Sequence, residues 1–431
     1  MSSMVYTRVL EDPGSPQKEN VFWYHSLSSN PPLNFTPGLI PVLKQALQKS
    51  HGKGQTVRAA LCYDKAVHVS VESWDSRWGC GYRNFLMACT ALINQEIQPT
   101  YFPALTHPTP PGIRNLQLWI ENAWEAGFDK EGADDLKHKL VGTRKWIGTA
   151  ELYVAFTTRG IPCQLVDFPK VNSSANAVLA WVENYFSSPY PNGKSMGTPS
   201  PKRQVQTTIG EALRGATPIV VTDRMPIILQ HDGHSRTIVG YERLKNGSVN
   251  LLCFDPSRFP KKDIRNAGKA NYFANKSTSP TTEKRPHLSA LSSRVPKFLS
   301  KVLHTKHKKD IPGDDKKRTA GSIDEERDMK RVRGGSPPSN GANTGGITEV
   351  IEISDEDEEN NVTGSPKTVK PSVSSSTIPN VEYTEVLEFF RLKPRKVGQK
   401  DQYQILYFPL EELLTEQERW DRRVVSSEVI R

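Results

Sequence analysis

The first clear element in the chain is a helix, because Leu39, Ile40, Val42, Leu43, Ala46 and Leu47 recur at helical spacing within "GLIPVLKQALQKS". Residues 1–30 ahead of it are polar and read as a flexible lead-in, and the text becomes globular from about Pro31. "RAALCYDKAVHVSVES" alternates and is β-branched, which predicts one or more strands. "GYRNFLMACTALINQ" predicts a buried helix with Cys80 at its N-terminal end. Further helices are predicted at "IRNLQLWIENAWEAG", "TAELYVAFTTRG" and "NAVLAWVENYF", and a strand at "IPCQLVDF". "TPIVVTD", "SRTIVGYERL" and "SVNLLCFDP" read as core strands, the last two joined by an Asn246-Gly247 hairpin turn.

The pattern breaks after Phe259. Residues 261–378 are rich in Lys, Ser, Pro, Thr and Asp, show little apolar periodicity, and read as a disordered insertion. Globular text returns in 379–431 with "EYTEVLEFFRLKP" and "QYQILYFPLEELL". A strand such as "YQILYFP" cannot stand alone, so this last part is expected to complete the sheet begun in 31–260. The expected fold class is α+β with a long insertion.

Charge and cysteine content narrow the function. The formal net charge of +10 is concentrated between Arg258 and Asn340, so a nucleic-acid-binding surface on the folded part is not expected. No apolar run reaches the roughly 18 residues of a membrane span, and the N-terminus has no signal-peptide pattern, so a soluble, non-secreted protein is expected. The five cysteines are scattered and form no CxxC pair, which argues against a disulfide framework or a zinc site and for a reducing compartment. No cofactor or metal is implied.

In "DSRWGCGYRNF" one cysteine stands between two glycines with a tryptophan before it. Most free cysteines simply pack in a core. A helix N-terminus lowers a thiol's pKa, however, and Cys80 sits at one. A nucleophilic thiol needs a histidine base and usually a group that orients it. "QHDGHSRTIVGYE" supplies His234 at the start of a strand, and "LLCFDP" ends the next strand in Asp255. A hairpin between those strands brings the two side by side. Taken singly, His234 reads equally as a satisfied core histidine and Asp255 as a turn cap; together with Cys80 they form a candidate triad. Gln230 is the candidate oxyanion donor beside the Cys80 backbone N–H. Trp78, Gly79, Gly81 and Tyr82 are candidate walls of a narrow substrate channel, the glycines giving a peptide backbone room.

These blocks, with "WIGTAELYVAF", "GIPCQLVDF" and the late "YQILYFP", resemble the papain-like cysteine peptidases of the UfSP/ZUFSP group. The resemblance spans roughly 31–260 and 380–420. It implies a papain-like fold and action on ubiquitin or a ubiquitin-like modifier. Proteases of the ubiquitin-fold modifier carry an Asp-Pro-His string, where this chain has Asp255-Pro256-Ser257. A histidine in "GHSRTIVG" followed by the Asp of "FDP" is instead similar to the ZUFSP-type deubiquitinases, which favour long lysine-linked chains. That similarity implies Cys80 as nucleophile, His234 as general base and Asp255 as its orienter. The ZUFSP type also carries N-terminal zinc fingers and ubiquitin-binding helices; this sequence has neither and resembles a reduced, fungal-type member.

Two motifs lie in the insertion. Lys317, Arg318, Lys330, Arg331 and Arg333 have the spacing of a bipartite nuclear localisation signal that an importin would read, so a nuclear protein is expected, with the cytoplasm as a second location. Val350, Ile351 and Ile353 ahead of the acidic run Asp355–Glu359 resemble a SUMO-interacting motif, which adds a strand to a partner's sheet edge. The resulting expectation is a thiol-dependent deubiquitinase acting on ubiquitin or polyubiquitin. The rival readings are a protease for SUMO or the ubiquitin-fold modifier, and a catalytically silent ubiquitin/SUMO adaptor.

Overall fold

The computed structural model describes residues 18–169, 174–188, 217–278 and 381–430. Two compact units are separated, Met1–Phe273 with Val332–Arg431, and Ala274–Arg331; within the second, only the end of one helix is among the described residues.

In the first unit the strands are β1 (Phe35–Thr36), β2 (Thr56–Leu61), β3 (His68–Val69), β4 (Gln164–Phe168), β5 (Ile219–Val221), β6 (Ile227–His231), β7 (His234–Leu244), β8 (Val249–Phe254), β9 (Arg391–Leu392), β10 (Tyr403–Tyr407) and β11 (Glu428–Val429). The helices are α1 (Leu39–Gly52), α2 (Cys80–Asn94), α3 (Tyr101–Thr106), α4 (Ile113–Glu125), α5 (Lys130–Asp135), α6 (Thr149–Thr158), α7 (Ser174–Ser187), α8 (Lys262–Thr278), α9 (Tyr383–Phe390), α10 (Pro394–Val397) and α11 (Glu416–Asp421). This is an α+β protein.

The eleven-residue β7 is the trunk of the sheet. Antiparallel β8 runs along one edge, and β6 and then β2 follow each other along the other. Beyond β6 lie β10, β4 and β11; beyond β2 lies β5. Alternation along β7 turns Ser235, Thr237 and Val239 inward, where they are buried, while His234 and Arg236 stay half-buried. Every residue of α2 is buried, and α2 packs on β7. Its polar residues Arg83, Asn84, Thr90 and Asn94 are buried with their hydrogen bonds made, so α2 sits inside the core, with the sheet on one side and α4 and α6 on another.

Tyr403–Tyr407 enters the same sheet as β8, between β4 and β6. Three expectations need correction. Lys262–Thr278, placed in the disordered stretch 261–378, is helical. Its stripe Ile264, Ala267, Asn271 and Tyr272 is buried, and Tyr272 meets Trp23 edge-on at 5.3 Å. The lead-in 1–30 is likewise partly folded: Trp23 is core, and Arg114 donates to Glu19 at 2.8 Å. β6 is a strand that the pattern did not predict, joined to β7 by a tight hairpin with His231 opposite His234. The motif residues Lys317, Arg318, Lys330, Arg331, Arg333, Val350, Ile351 and Ile353 lie outside the described residues. Among the described residues no helix is long and apolar enough to cross a membrane.

Candidate active site

Cys80 is the first residue of α2, so its N–H has no intrahelical acceptor and the helix dipole favours a negative sulfur. The sulfur is hydrogen-bonded by His234 and by the side chain and backbone of Ser235. The other ring nitrogen is spoken for: His234 Nε2 lies 2.9 Å from Asp255 Oδ1, which leaves Nδ1 for the thiol. Asp255 follows β8 directly, beside the start of β7. Three residues drawn from three parts of the chain thus form one line: thiol, imidazole, carboxylate.

The electrostatics follow from that line. Burial opposes the Cys80 thiolate, but the hydrogen bond and charge of His234 and the bonds from Ser235 outweigh it, and the thiol falls below its ordinary value. Burial likewise opposes the imidazolium, and the bonds to Asp255 and Cys80 overcome it, raising His234 to about 9. Asp255 is desolvated too, yet His234 and Arg236 hold it well below the usual carboxylate range. The combination favours a thiolate–imidazolium pair near neutral pH. Burial pushes the other four cysteines up, Cys163 and Cys253 to about 12. One thiol in five is therefore set apart by its surroundings.

Gln230 sits on β6, buried, and its Oε1 accepts from the Thr149 backbone N–H at 2.6 Å. This turns Nε2 into the donating end of the amide. The segment Ile147–Thr149 touches both Gln230 and Gly81, so the amide is held next to the start of α2.

The channel residues divide. Trp78 lines a cleft of about 600 Å³ together with Trp74, Arg77, Arg144 and Trp146. Tyr82 does not line it: it is fully buried, donates to the Lys145 carbonyl at 3.0 Å and accepts from Gln117 at 3.2 Å. The glycines also serve the protein itself. A methyl on Gly79 would fall on the Asp75 carboxylate, and one on Gly81 would lie 2.9 Å from Ile147 Cγ1 and fall on the Ile147 carbonyl oxygen. The space beside each is filled by protein, so room for a substrate is not the reason for them. Asp75 is in turn paired with buried Arg83, Nε to Oδ2 at 2.7 Å, which braces the loop ahead of Cys80.

A family model, peptidase family C78, matches residues 55–288. The chain belongs to peptidase family C78. It is a cysteine-type peptidase of the UfSP/ZUFSP type, and its candidate site sets a helix-borne thiol beside a sheet-borne histidine. The C78 chain is 34% identical over 224 residues to Zinc finger-containing ubiquitin peptidase 1 of Rattus norvegicus, covering 51% of this chain and 34% of that protein. Ubiquitin carboxyl-terminal hydrolase mug105 of Schizosaccharomyces pombe is 30% identical over 192 residues, covering 44% of this chain and 64% of that protein. This C78 peptidase therefore spans only about a third of the length of its zinc-finger relatives. The crystal structure of UfSP from C. elegans aligns with a TM-score of 0.28 at 15% identity, over 52% of this chain and 32% of that one.

Four residues of the site escaped the sequence reading. Ser235 bonds the thiol. Arg236 holds the second oxygen of Asp255 at 2.7 Å and also His231 at 2.9 Å. Asn84 ties α2 to β7 through Ser235 and Thr237. His68, on β3, contacts the Asp255 carbonyl through Nε2 at 3.1 Å. Only the spacing of Arg236, two residues beyond His234 on an alternating strand, left a trace in the sequence.

Proposed function

We propose that the chain hydrolyses the isopeptide bond that follows the Gly-Gly tail of ubiquitin, with Cys80 as nucleophile, His234 as general base and acid, and Asp255 as the orienting carboxylate. The observation that carries this reading is the Cys80–His234–Asp255 line, with the thiol lowered and the imidazole raised. The names of the relatives, ubiquitin peptidases in two of the matches, supply the substrate class.

The Cys80 thiolate attacks the glycine carbonyl carbon, and the oxyanion draws on the Cys80 N–H and Gln230 Nε2. As the C–N bond breaks, the His234 imidazolium gives its proton to the leaving lysine amine. A thioester remains. His234, now neutral, takes a proton from water as the hydroxide adds to the thioester carbonyl, and the proton returns to sulfur as the C–S bond breaks. Asp255 keeps the ring oriented throughout. The basic pairs outside the described residues support a nuclear location for this activity.

The test is ubiquitin ending in a propargyl group, which traps an active-site thiol. The expected result is an adduct on wild-type protein, absent in Cys80→Ala and His234→Ala and retained in Cys253→Ala. An adduct with SUMO or the ubiquitin-fold modifier but none with ubiquitin would assign a different modifier. No adduct with any of the three would sink the reading.

A further inference from the structure

Asp255 has two carboxylate oxygens, and only one serves His234. Oδ1 accepts from His234 Nε2 at 2.9 Å and from the Ser257 backbone N–H at 3.0 Å. Oδ2 accepts from Arg236 Nε at 2.7 Å. The guanidinium is itself tethered at its far end, where Nη1 lies 2.9 Å from His231 Nε2. The protonation of His231 can be worked out from its other side. Nδ1 lies 2.8 Å from the Asp232 carbonyl oxygen, and a carbonyl only accepts, so Nδ1 carries the proton. Nε2 then offers a lone pair, which suits the Arg236 N–H that meets it. The ring is held edge-on to Tyr403 of β10 at 5.8 Å, and strand pairing sets His231 opposite His234.

A bidentate cation stretched between a fixed acceptor and the orienting carboxylate goes beyond what a surface ion pair needs. Resting on the catalytic reading above, we propose that Arg236, latched by neutral His231, is a positioning residue: it fixes the Asp255 carboxylate so that one oxygen faces His234, and its charge offsets part of the carboxylate's pull on the imidazolium proton. That second effect matters because His234 has to release the proton to a leaving amine as well as take it from the thiol. A carboxylate without its counter-ion would hold the proton more tightly.

The charges around the line are accounted for. Asp255 faces His234 and Arg236 from β7, and its backbone carbonyl faces His68 from β3. His234 faces Cys80 from α2, Asp255 and Arg236, with the His231 ring centroid 6.1 Å away. His231 feels Arg236, His234 and Lys400, and burial together with these cations keeps it neutral, at about 4. Arg258 acts on His68 and on Cys253. Of these groups Arg236 is the cation bonded to Asp255 other than the base itself.

The experiment uses the full chain carrying Arg236→Gln, Arg236→Lys, His231→Gln or His231→Leu. The readouts are kcat and KM against pH on ubiquitin with a fluorogenic leaving group, together with near-ultraviolet circular dichroism to confirm the fold. In Arg236→Gln, kcat is expected to fall by roughly 10²-fold, the scale of a small misplacement of a catalytic group, with KM little changed. The alkaline limb of its pH profile should move to higher pH, because removing a cation favours the imidazolium. Arg236→Lys keeps the charge but cannot span both partners, so it should keep the limb near its wild-type pH while losing part of kcat. His231→Gln offers an acceptor where Nε2 stood and should retain most activity; His231→Leu should lose it and should not add to Arg236→Gln in the double variant.

An alkaline limb that stays put or moves down in Arg236→Gln would overturn the proposal, as would wild-type kcat in His231→Leu. A rise in KM at constant kcat would also overturn it, by making Arg236 a substrate contact. If Arg236→Gln fails to fold, Arg236→Lys and His231→Leu carry the test of positioning: both should lose kcat with KM little changed, and wild-type kcat in either overturns the proposal. Failure of the underlying catalytic reading looks different: wild-type protein would then leave the substrate uncleaved.

Discussion

Asn84 offers the sharpest test of how the site is held together. It lies one turn after Cys80 on α2, fully buried, and its Nδ2 donates to Ser235 Oγ at 2.9 Å while its Oδ1 accepts from Thr237 Oγ1 at 2.8 Å. Ser235 in turn bonds the Cys80 sulfur. One side chain therefore ties the helix that carries the thiol to the strand that carries the base. Asn84→Ala removes two buried hydrogen bonds and strands one or both hydroxyls; at about 1–2 kcal/mol for each, the expected loss of stability is about 2–4 kcal/mol. A domain of ordinary stability survives that at 25 °C. Activity should fall further than stability, because a shift of about 1 Å between thiol and imidazole costs on the order of 10²-fold in rate. Urea denaturation gives the first quantity, and kcat/KM corrected for the folded fraction gives the second. Thr237→Val supplies the partner for a double-mutant cycle, with an expected coupling of about 0.5–3 kcal/mol. A stability loss below about 0.5 kcal/mol, or a corrected kcat/KM equal to wild type, would refute the idea that this amide sets the distance between α2 and β7.

Three further outcomes follow from the same geometry. Iodoacetamide near pH 7 should modify Cys80 well before the other four cysteines, since burial pushes those four up; peptide mass spectrometry at short times reads this, and equal labelling of Cys253 would contradict it. Gly81→Ala should lower the melting temperature without any substrate present, at a cost of about 1–3 kcal/mol, because its methyl meets Ile147; an unchanged melting temperature with weakened substrate binding would return the glycine to the substrate. His68 should make the fold acid-sensitive. Burial lowers it to about 4 from 6.5, so the unfolded chain takes up a proton first, and about 3 kcal/mol of stability is lost as pH falls through that interval. His68→Gln, which can still donate to the Asp255 carbonyl, should flatten the slope of urea midpoint against pH between those values; an unchanged slope would place the acid sensitivity elsewhere. His234 runs the other way: raised to about 9, its contribution is complete below 6.5 and fades as pH rises through 9.

What was legible in the sequence was whatever a local pattern encodes. The run after Cys80, mostly apolar from Phe85 to Ile93, reads as a core helix, and Asn246-Gly247 between two apolar runs reads as a hairpin. That hairpin is why His234 and Asp255 could be paired from the text alone, for a turn converts sequence order into spatial order. Cys80 stands 154 positions before His234, and nothing local sets that distance; what joined them was the chemistry a thiol at a helix start requires, a base and its orienter, with the resemblance to a family adding to it. Lys262–Thr278 was misread because Lys, Arg and Asn fill its exposed face and mask the stripe from Ile264 to Tyr272. Tyr82 was misread for a related reason. An aromatic beside a reactive thiol looks like a wall of the cleft, but a helix residue two positions on from Cys80 turns to another face, here toward Gln117 and Lys145. Asn84, Ser235 and His231 are ordinary polar residues in the text and acquire roles only through contacts across the fold; Arg236 differs only in its spacing from His234.

The position of the last part of the chain has its own physical logic. β10 lies between β4 and β6, and Gln404 stands in register with Gln230, with the Thr149 hydroxyl between their amide oxygens. β9 pairs with β8, and Arg391 makes two bonds of 2.7 Å to the buried carboxylate of Glu242 on β7. The strand that carries the candidate oxyanion donor and the strand that leads into Asp255 are thus both braced by residues beyond position 390. The segment just ahead of α8 also meets α9. Lys261 pairs with Glu385 at 2.6 Å, and the Arg258 guanidinium stacks over Phe389 at 4.4 Å. The sheet that carries Gln230, His234 and Asp255 is therefore completed and braced by Arg391 and Gln404, from a part of the chain more than a hundred positions further on.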